Sequence, residues 1–529
     1  MTVARPHLSR PPIIGAIGIN SSQRGDSPRT SKHASLTLGR PSGQGIRRKS
    51  RRPLPLTESH LPVILPTRLE RNSLRSWVFP RRTQCTPLAI VPRAAVDHML
   101  FNAYLILAAL LLTYSLLTTL FTWENRRFVR SRMRELHAYT PQGRVAIYAP
   151  CKGIDLELEN NLRALLRQDY HDFEVYFVLE STADPACEVV RRLIAEHPQI
   201  AARLLIAGRA TDCGQKVHNL RHATAEIPAG VKYLAFVDSD ACPRPEWLRS
   251  LILRLDRPGV GAATGYRWFI PARPSLANHL LYAINSSIAL FFGAGGNHLV
   301  WGGSWAIRRE MFETLAVRDA WKGTLSDDLV VSRIMRRRRL RVLFQPPCMV
   351  ASPLDRDLRS MCGFLRRQYL IGRFYASNLW LTGLGLGLLT WMVLVASLAI
   401  AVSATFVRTV PLWIPVAVFA AHYALNAFRA AIRQSLVHSY FPSFASALRR
   451  ARWFDVWAGP LIGLVNMAGL VGAMFGHEFL WRGIRYRLRR DGQVDAVRHQ
   501  NSSAEIVARS QVFVLDRTPV RAVPWKRAG

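Results

Sequence analysis

The chain has 529 residues, is 49% hydrophobic, and carries 71 lysines and arginines against 35 aspartates and glutamates, a formal net charge of +36. That apolar content lets one large domain or two ordinary ones bury a sizeable core, which excludes a chain without one. The charge suits nucleic acid or anionic lipid, but the arginines cluster beside apolar runs instead of within an aromatic-laced recognition motif, which excludes the first.

Residues 1–98 are rich in Arg, Ser and Pro, poor in acids and without a helical or strand period. They read as a disordered extension, either transit-like or a wrongly extended start with translation beginning at Met99, and no fold is assigned to them. Residues 99–122 and 378–406 are uncharged and long enough to cross a hydrocarbon core. Residues 410–428 make a third expected span; 454–476, interrupted by Pro460 and Asn466, make a transmembrane or re-entrant segment. Basic stretches after the first span, before the second and after the third place these ends on the cytoplasmic side. Residues 123–377 are then a cytoplasmic domain with an interfacial helix, and 477–529 a basic tail. The seven cysteines show no C-x-x-C spacing, so neither a zinc site nor a disulfide framework is indicated.

Between residues 140 and 350 short apolar, β-branched runs alternate with stretches of helical spacing. This predicts an α/β domain with a parallel, doubly wound sheet, whose ligands sit beyond the carboxyl ends of the strands. "KYLAFVDSD" puts Asp238 and Asp240 at such an end. Two carboxylates there suit a hard cation, Mg²⁺ or Mn²⁺, that keeps positions open for phosphate oxygens of a nucleotide diphosphate.

With "SDDL" (Ser326–Leu329), "CGQKVHNL" (Cys213–Leu220) and "VWGGSWAIRR" (Val300–Arg309), this turn resembles the family 2 glycosyltransferases, and within them the ceramide glucosyltransferase branch, particularly its plant-like and bacterial members. "FVLESTADPA", "FLRRQ" and "WRGIRYRL" resemble segments of the same branch, over roughly residues 100 to 490 in all. The resemblance implies a GT-A (Rossmann-like) domain inserted between transmembrane helices. It implies that Asp238 and Asp240 hold the metal and a UDP-sugar, and that Asp328 is the general base, with Asp327 its rival. Lys216 would meet the nucleotide or phosphate with Asn219 orienting it, and Lys152 and Gly153 after the first strand would also approach the nucleotide. Glu180 would stand where the family often has an aspartate for the base, with Asp184 either sharing that role or capping the next helix. The family's Q/R-x-x-R-W motif is absent where expected; Arg366, Arg367 and Gln368 take its place as candidates for contacting the leaving diphosphate or shaping the acceptor site, and a processive polymer synthase is disfavoured. Trp301 and Gly303 would line the acceptor or sugar pocket, Trp301 being equally suited to core packing.

The implied activity is transfer of a hexose, expected to be glucose, from a UDP-sugar to a lipid hydroxyl on a ceramide-like acceptor. Diacylglycerol or a hopanoid-type lipid is the alternative acceptor, and a catalytically silent membrane adaptor the alternative role. The expected setting is a bacterial inner membrane with the domain on the cytoplasmic face; no nucleic acid and no protein partner is expected.

Overall fold

The computed structural model describes residues 93–135, 141–406 and 411–499. Most of the expected N-terminal extension, and the tail from residue 500 on, lie outside the described residues.

Seven strands make the central sheet: β1 (Arg144–Pro150), β2 (Phe173–Leu179), β3 (Ala201–Ile206), β4 (Val231–Val237), β5 (Val260–Pro271), β6 (Ser304–Arg308) and β7 (Arg341–Leu354). Their order is β3-β2-β1-β4-β6-β5-β7. The half β3-β2-β1-β4 is parallel and wound by helices Leu158–Leu166, Ala186–Glu196 and Gln215–Ala223 on the predicted stretches. β6 runs antiparallel to both β4 and β5, so the sheet is mixed where a wholly parallel one was expected. The first four strands each feed a crossover helix, which enforces parallel pairing. β6 instead returns from the "WGGSW" turn, and its five residues pair back along β4. The α/β architecture expected from the sequence is present, with one strand reversed.

Both faces of the sheet are covered, which is why β1 and β2 are apolar along nearly their whole length. On one face Leu162, Leu165, Val190, Trp247 and Leu251 pack against Val145, Ile147 and Val175. On the other Val217, Leu220, Trp305, Trp321 and Val331 pack against Tyr148 and Phe236. Burying each such side chain is worth about 1.5–3 kcal/mol. At Gly265 in β5 a Cβ would stand 2.0 Å from the Cys348 carbonyl oxygen and 2.4 Å from Ser304 Oγ, beside a register shift that aims Tyr266 and Arg267 at the site. Gly265→Ala is expected to cost about 2 kcal/mol or more of stability, read as the thermal midpoint of the detergent-solubilised protein.

Two helices among the described residues are long and apolar enough to cross a membrane: Arg93–Arg134, over Ala95–Arg134, and Ser377–Phe406, over Ser377–Ala404. Helix Trp413–Gln434 lies at the third expected span and carries Arg429 and Arg433. It meets the first helix through a Ser115 Oγ–His422 Nδ1 contact of 3.0 Å. The fourth expected segment is two helices, Arg449–Trp457 and Gly459–Gly472, meeting at 83°. Pro460 opens the second of them, where its missing N–H costs nothing. The amphipathic helix Leu358–Tyr375, capped by the Asp357 carboxylate accepting from Ser360 N at 2.7 Å, joins domain to bundle and buries Met361, Phe364, Leu365 and Leu370.

Residues 478–499, expected as basic tail, form a second, antiparallel sheet of β8 (Glu478–Trp481), β9 (Ile484–Leu488) and β10 (Val494–His499). Ile484, Tyr486 and Leu488 point into the core beside Val217 and Leu370, while the intervening arginines are exposed. That period of two makes this segment a strand whatever its charge.

Candidate active site

A cavity of about 1810 Å³ opens at the carboxyl ends of β1 and β4 and continues among the helices, where Leu379, Trp380, Gly383, Trp391 and Tyr423 line it. The Asp238–Asp240 turn leaves β4 into this cavity. Asn161 Nδ2 donates to the Ser239 carbonyl at 3.1 Å, and Ser239 Oγ donates to Asp155 at 2.7 Å, which fixes the turn.

Lys216, on the first turn of its helix, lies among carboxylates: 2.8 Å from Asp238 Oδ1 and 3.1 Å from Asp327 Oδ1, and it donates to the Gly302 carbonyl at 3.1 Å. Burial works against its charge, but Asp238, Asp327 and Asp328 outweigh that and hold its pKa above the usual value. Burial, then Asp238 and Asp155, raise the pKa of Asp240, and Asp240 Oδ1 is buried without a partner. Clustered carboxylates with an orphaned oxygen are what a divalent cation satisfies, so the residues present fit the metal. Asp240 is the freer ligand, since Asp238 shares an oxygen with Lys216.

Ser326 caps helix Asp327–Arg337, accepting from Leu329 N. Asp328 takes three hydrogen bonds, from Ser326 Oγ at 2.5 Å, Leu329 N at 2.7 Å and Gly302 N at 2.8 Å. Gly302 is required there: a Cβ would sit 2.6 Å from Lys216 Nζ and 3.1 Å from Asp328 Oδ2. Asp327 is nearly buried, its Oδ2 unpartnered. Burial, with Asp328 and Asp238 adding to it against Lys216, pushes its carboxyl up to about 7. The folded chain therefore holds this proton to higher pH than the unfolded chain, whose aspartates titrate near pH 4, and stability falls as pH rises between about 4 and 7. Thermal unfolding in chelator is expected to show that decline, and Asp327→Asn is expected to flatten it.

Of the residues expected from the sequence, Lys152, Gly153, Asp184, Lys216, Asn219, Asp238, Asp240, Trp301, Asp327, Asp328, Arg367 and Gln368 line the cavity. Three do not. Arg366 points away and donates to the carbonyls of Glu478 and Phe475 at 3.1 and 3.2 Å, holding the C-terminal sheet. Glu180 is engaged by Lys152, by Arg209 at 3.4 Å and by His499 at 3.6 Å. Gly303 lies under Trp301, whose ring would be 2.2 Å from a Cβ there, and so makes room for the ring without lining the cavity. One residue has another task than that expected: Asn219 does not orient Lys216 but bonds Gln215 and the Val178 carbonyl. Asp184 takes the capping alternative, accepting from Ala186 N at the start of the helix after β2, and it accepts also from Gly153 N, both at 2.9 Å, which ties that helix to the loop after β1. Trp301 both lines the cavity and packs edge-on to Tyr266.

Sequence reasoning missed Asp155, Arg267, Arg356 and Arg482, all on the cavity wall. Arg482 stands in "WRGIRYRL", and Asp155 closes "PCKGID", the segment that carries Lys152 and Gly153. Asp212, Cys213 and His218, away from that wall, bring potential metal-ligating atoms within 4.8 Å of one another, a grouping that the cysteine spacing did not reveal.

The nematode Caenorhabditis elegans ceramide glucosyltransferase 1 is 29% identical over 177 residues, covering 32% of this chain and 37% of that protein. A ceramide glucosyltransferase of the yeast Komagataella phaffii is 43% identical over 61 residues, 12% of each chain. The chain thus spans well under half the length of these relatives. A mannosyltransferase from Pyrobaculum calidifontis, solved with GDP-Man and Mn²⁺, covers 70% of this chain and 97% of its own at 17% identity and a TM-score of 0.37, too distant to bear on function. The sequence model of glycosyl transferase family 21 matches residues 100–494, from the first long helix through the start of β10, and the chain belongs to that family.

Proposed function

We propose that this is a membrane-embedded, inverting glycosyltransferase that moves glucose from UDP-glucose to the hydroxyl of a ceramide-like lipid. The observation that carries the reading is the continuity of one cavity from Asp238, Asp240 and Asp328 into the apolar helix bundle. A lipid can present its hydroxyl to the carboxylates while its chains stay among the helices.

A carboxylate offers about four lone-pair sites. Three on Asp328 are taken by fixed donors, which orient the group and leave one site for the acceptor hydroxyl. Asp328 takes that proton as the oxygen attacks the anomeric carbon from the face opposite the diphosphate, and the bond to the diphosphate breaks. Asp327, nearly buried and facing Lys216, holds that lysine in place. Lys216 stands beside the leaving group. A divalent metal held by Asp240 and Asp238 would neutralise charge on the departing nucleotide. The basic stretches beside the apolar helices support a cytoplasmic-facing cleft, and the membrane of this reading is a bacterial inner membrane.

The test is transfer from labelled UDP-glucose and UDP-galactose into ceramide, diacylglycerol and a hopanoid by solubilised protein. Labelled ceramide from UDP-glucose alone is expected. Labelling of diacylglycerol or the hopanoid instead would move the acceptor, and no labelling, with donor binding intact, would turn the reading toward an adaptor.

A further inference from the structure

Helix Asp327–Arg337 carries two carboxylates of the site at one end and runs into four consecutive arginines, residues 336–339, at the other. Its 11 residues, at 1.5 Å each, set those ends about 15 Å apart. At the basic end a second cavity, of about 270 Å³, lies between Arg333, Arg336 and Arg337 and the stretch 375–379. That stretch is the joint where the amphipathic helix gives way to the apolar helix Ser377–Phe406. The cavity therefore sits where a span enters the membrane, at the level of the lipid headgroups. Leu379, exposed at its rim, begins the apolar surface of that span.

Two observations set this cavity apart from a solvated basic surface. Its cations lack counter-charge: among the described residues no carboxylate lies in salt-bridge range of Arg333, Arg336 or Arg337, and Asp491, whose field reaches Tyr375, is engaged by Arg489 at 3.3 Å. It is also built. Arg333 donates to the carbonyls of Phe374 and Tyr375 at 3.4 and 3.2 Å and lies 5.7 Å from the centre of the Tyr375 ring. Arg336 and Arg337 stay exposed beside it, and Ser377 and Asn378 add a hydroxyl and an amide to the lining. Guanidiniums with neutral donors around a compact space suit a phosphate ester, in a volume below that of ordinary small-molecule pockets. None of the three arginines lines the reaction cavity.

The basic cavity nevertheless reaches the base. Tyr375 lines it, and the Tyr375 hydroxyl accepts from Leu325 N at 2.8 Å and donates to the Gly492 carbonyl. Leu325 precedes Ser326, whose hydroxyl caps the helix and bonds Asp328 at 2.5 Å. Cavity and carboxylate are thus joined twice, along one helix and through one tyrosine.

We infer that Arg333, Arg336 and Arg337 bind the phosphate of an anionic phospholipid where the apolar helix begins, and that the bound headgroup steadies Tyr375 and helix Asp327–Arg337 so that Asp328 is held for transfer. The phospholipid is an activator, not the acceptor. Its effect on transfer rests on the reaction proposed above; its binding does not.

The test places full-length protein in nanodiscs of phosphatidylcholine, with or without phosphatidylglycerol, and measures the thermal midpoint and the transfer of glucose to ceramide in each. Phosphatidylglycerol is expected to raise the wild-type midpoint by a few degrees and transfer by about fivefold or more. Arg336→Gln and Arg337→Gln are each expected to lose most of both gains. Arg338→Gln removes the same charge from the same run but does not line the cavity, and is expected to keep them. Gains kept by both cavity variants, or lost equally in Arg338→Gln, would overturn the site, the second by assigning the effect to the summed field of the basic surface. Inorganic phosphate stabilising the protein in phosphatidylcholine as well as phosphatidylglycerol does would overturn the lipid. A midpoint gain lost in the cavity variants, with no gain in wild-type transfer, would overturn the activation. Absence of transfer in both membranes would be a failure of the proposed reaction, with the midpoints still deciding the site.

Discussion

Asp328→Asn is expected to lower hexose transfer by about three orders of magnitude, with UDP-glucose still bound within a few-fold of wild type. The amide keeps the shape of the side chain and can still accept from Gly302 N, but it cannot take the acceptor's proton, and general-base catalysis is worth about 10²–10⁴ in rate. The loss should fall on kcat, since the group acts on the acceptor's proton and not on the nucleotide. Asp327→Asn separates the two carboxylates. It faces Lys216 from a nearly closed position, so its removal should perturb donor binding and the pH dependence of stability more than the chemical step. A larger kcat loss in Asp327→Asn than in Asp328→Asn, measured with saturating donor and acceptor, would exchange their roles.

Asp240→Asn is the second large effect. Asp240 carries a buried, unpartnered oxygen at the turn that leaves β4. Removing one charged ligand from a two-carboxylate site is expected to weaken Mn²⁺ by at least about a hundredfold, beyond the 10–100-fold typical of outer-shell changes. The same change removes like-charge repulsion with Asp238 and Asp155, so the metal-free variant should be at least as stable as wild type. Isothermal titration with Mn²⁺ and thermal unfolding in chelator read the two quantities separately. Weakened metal binding together with a stability loss above about 2 kcal/mol would show instead a carboxylate needed for the fold.

Much of the site is legible in the sequence where local rules agree. A buried strand ending in Asp-Ser-Asp places both carboxylates at the ligand end of the sheet, and Ser326 ahead of Asp327 and Asp328 marks a helix start whose cap also orients Asp328. What was not legible depends on tertiary pairing. The direction of β6 follows from its pairing with β4 and β5, not from its own residues. Arg366 and Arg367 are neighbours in one motif, but adjacent residues on a helix project about 100° apart, and only Arg367 reaches the cavity. The C-terminal sheet was hidden by its charge, although Ile484, Tyr486 and Leu488 alternate with arginines in the period of a strand. Arg267 and Arg356 precede no recognisable motif; the fold alone brings them to Phe364.

In the proposed reaction one cavity joins a metal-assisted sugar donor to a lipid hydroxyl, with Asp328 as the base. Its most direct test is transfer of labelled glucose from UDP-glucose to ceramide in nanodiscs, with Mn²⁺ or with chelator, by wild type and Asp328→Asn side by side. Labelled lipid is expected from wild type with metal alone, and almost none in chelator or from the variant. Equal labelling by the variant, or labelling that persists in chelator, would contradict it.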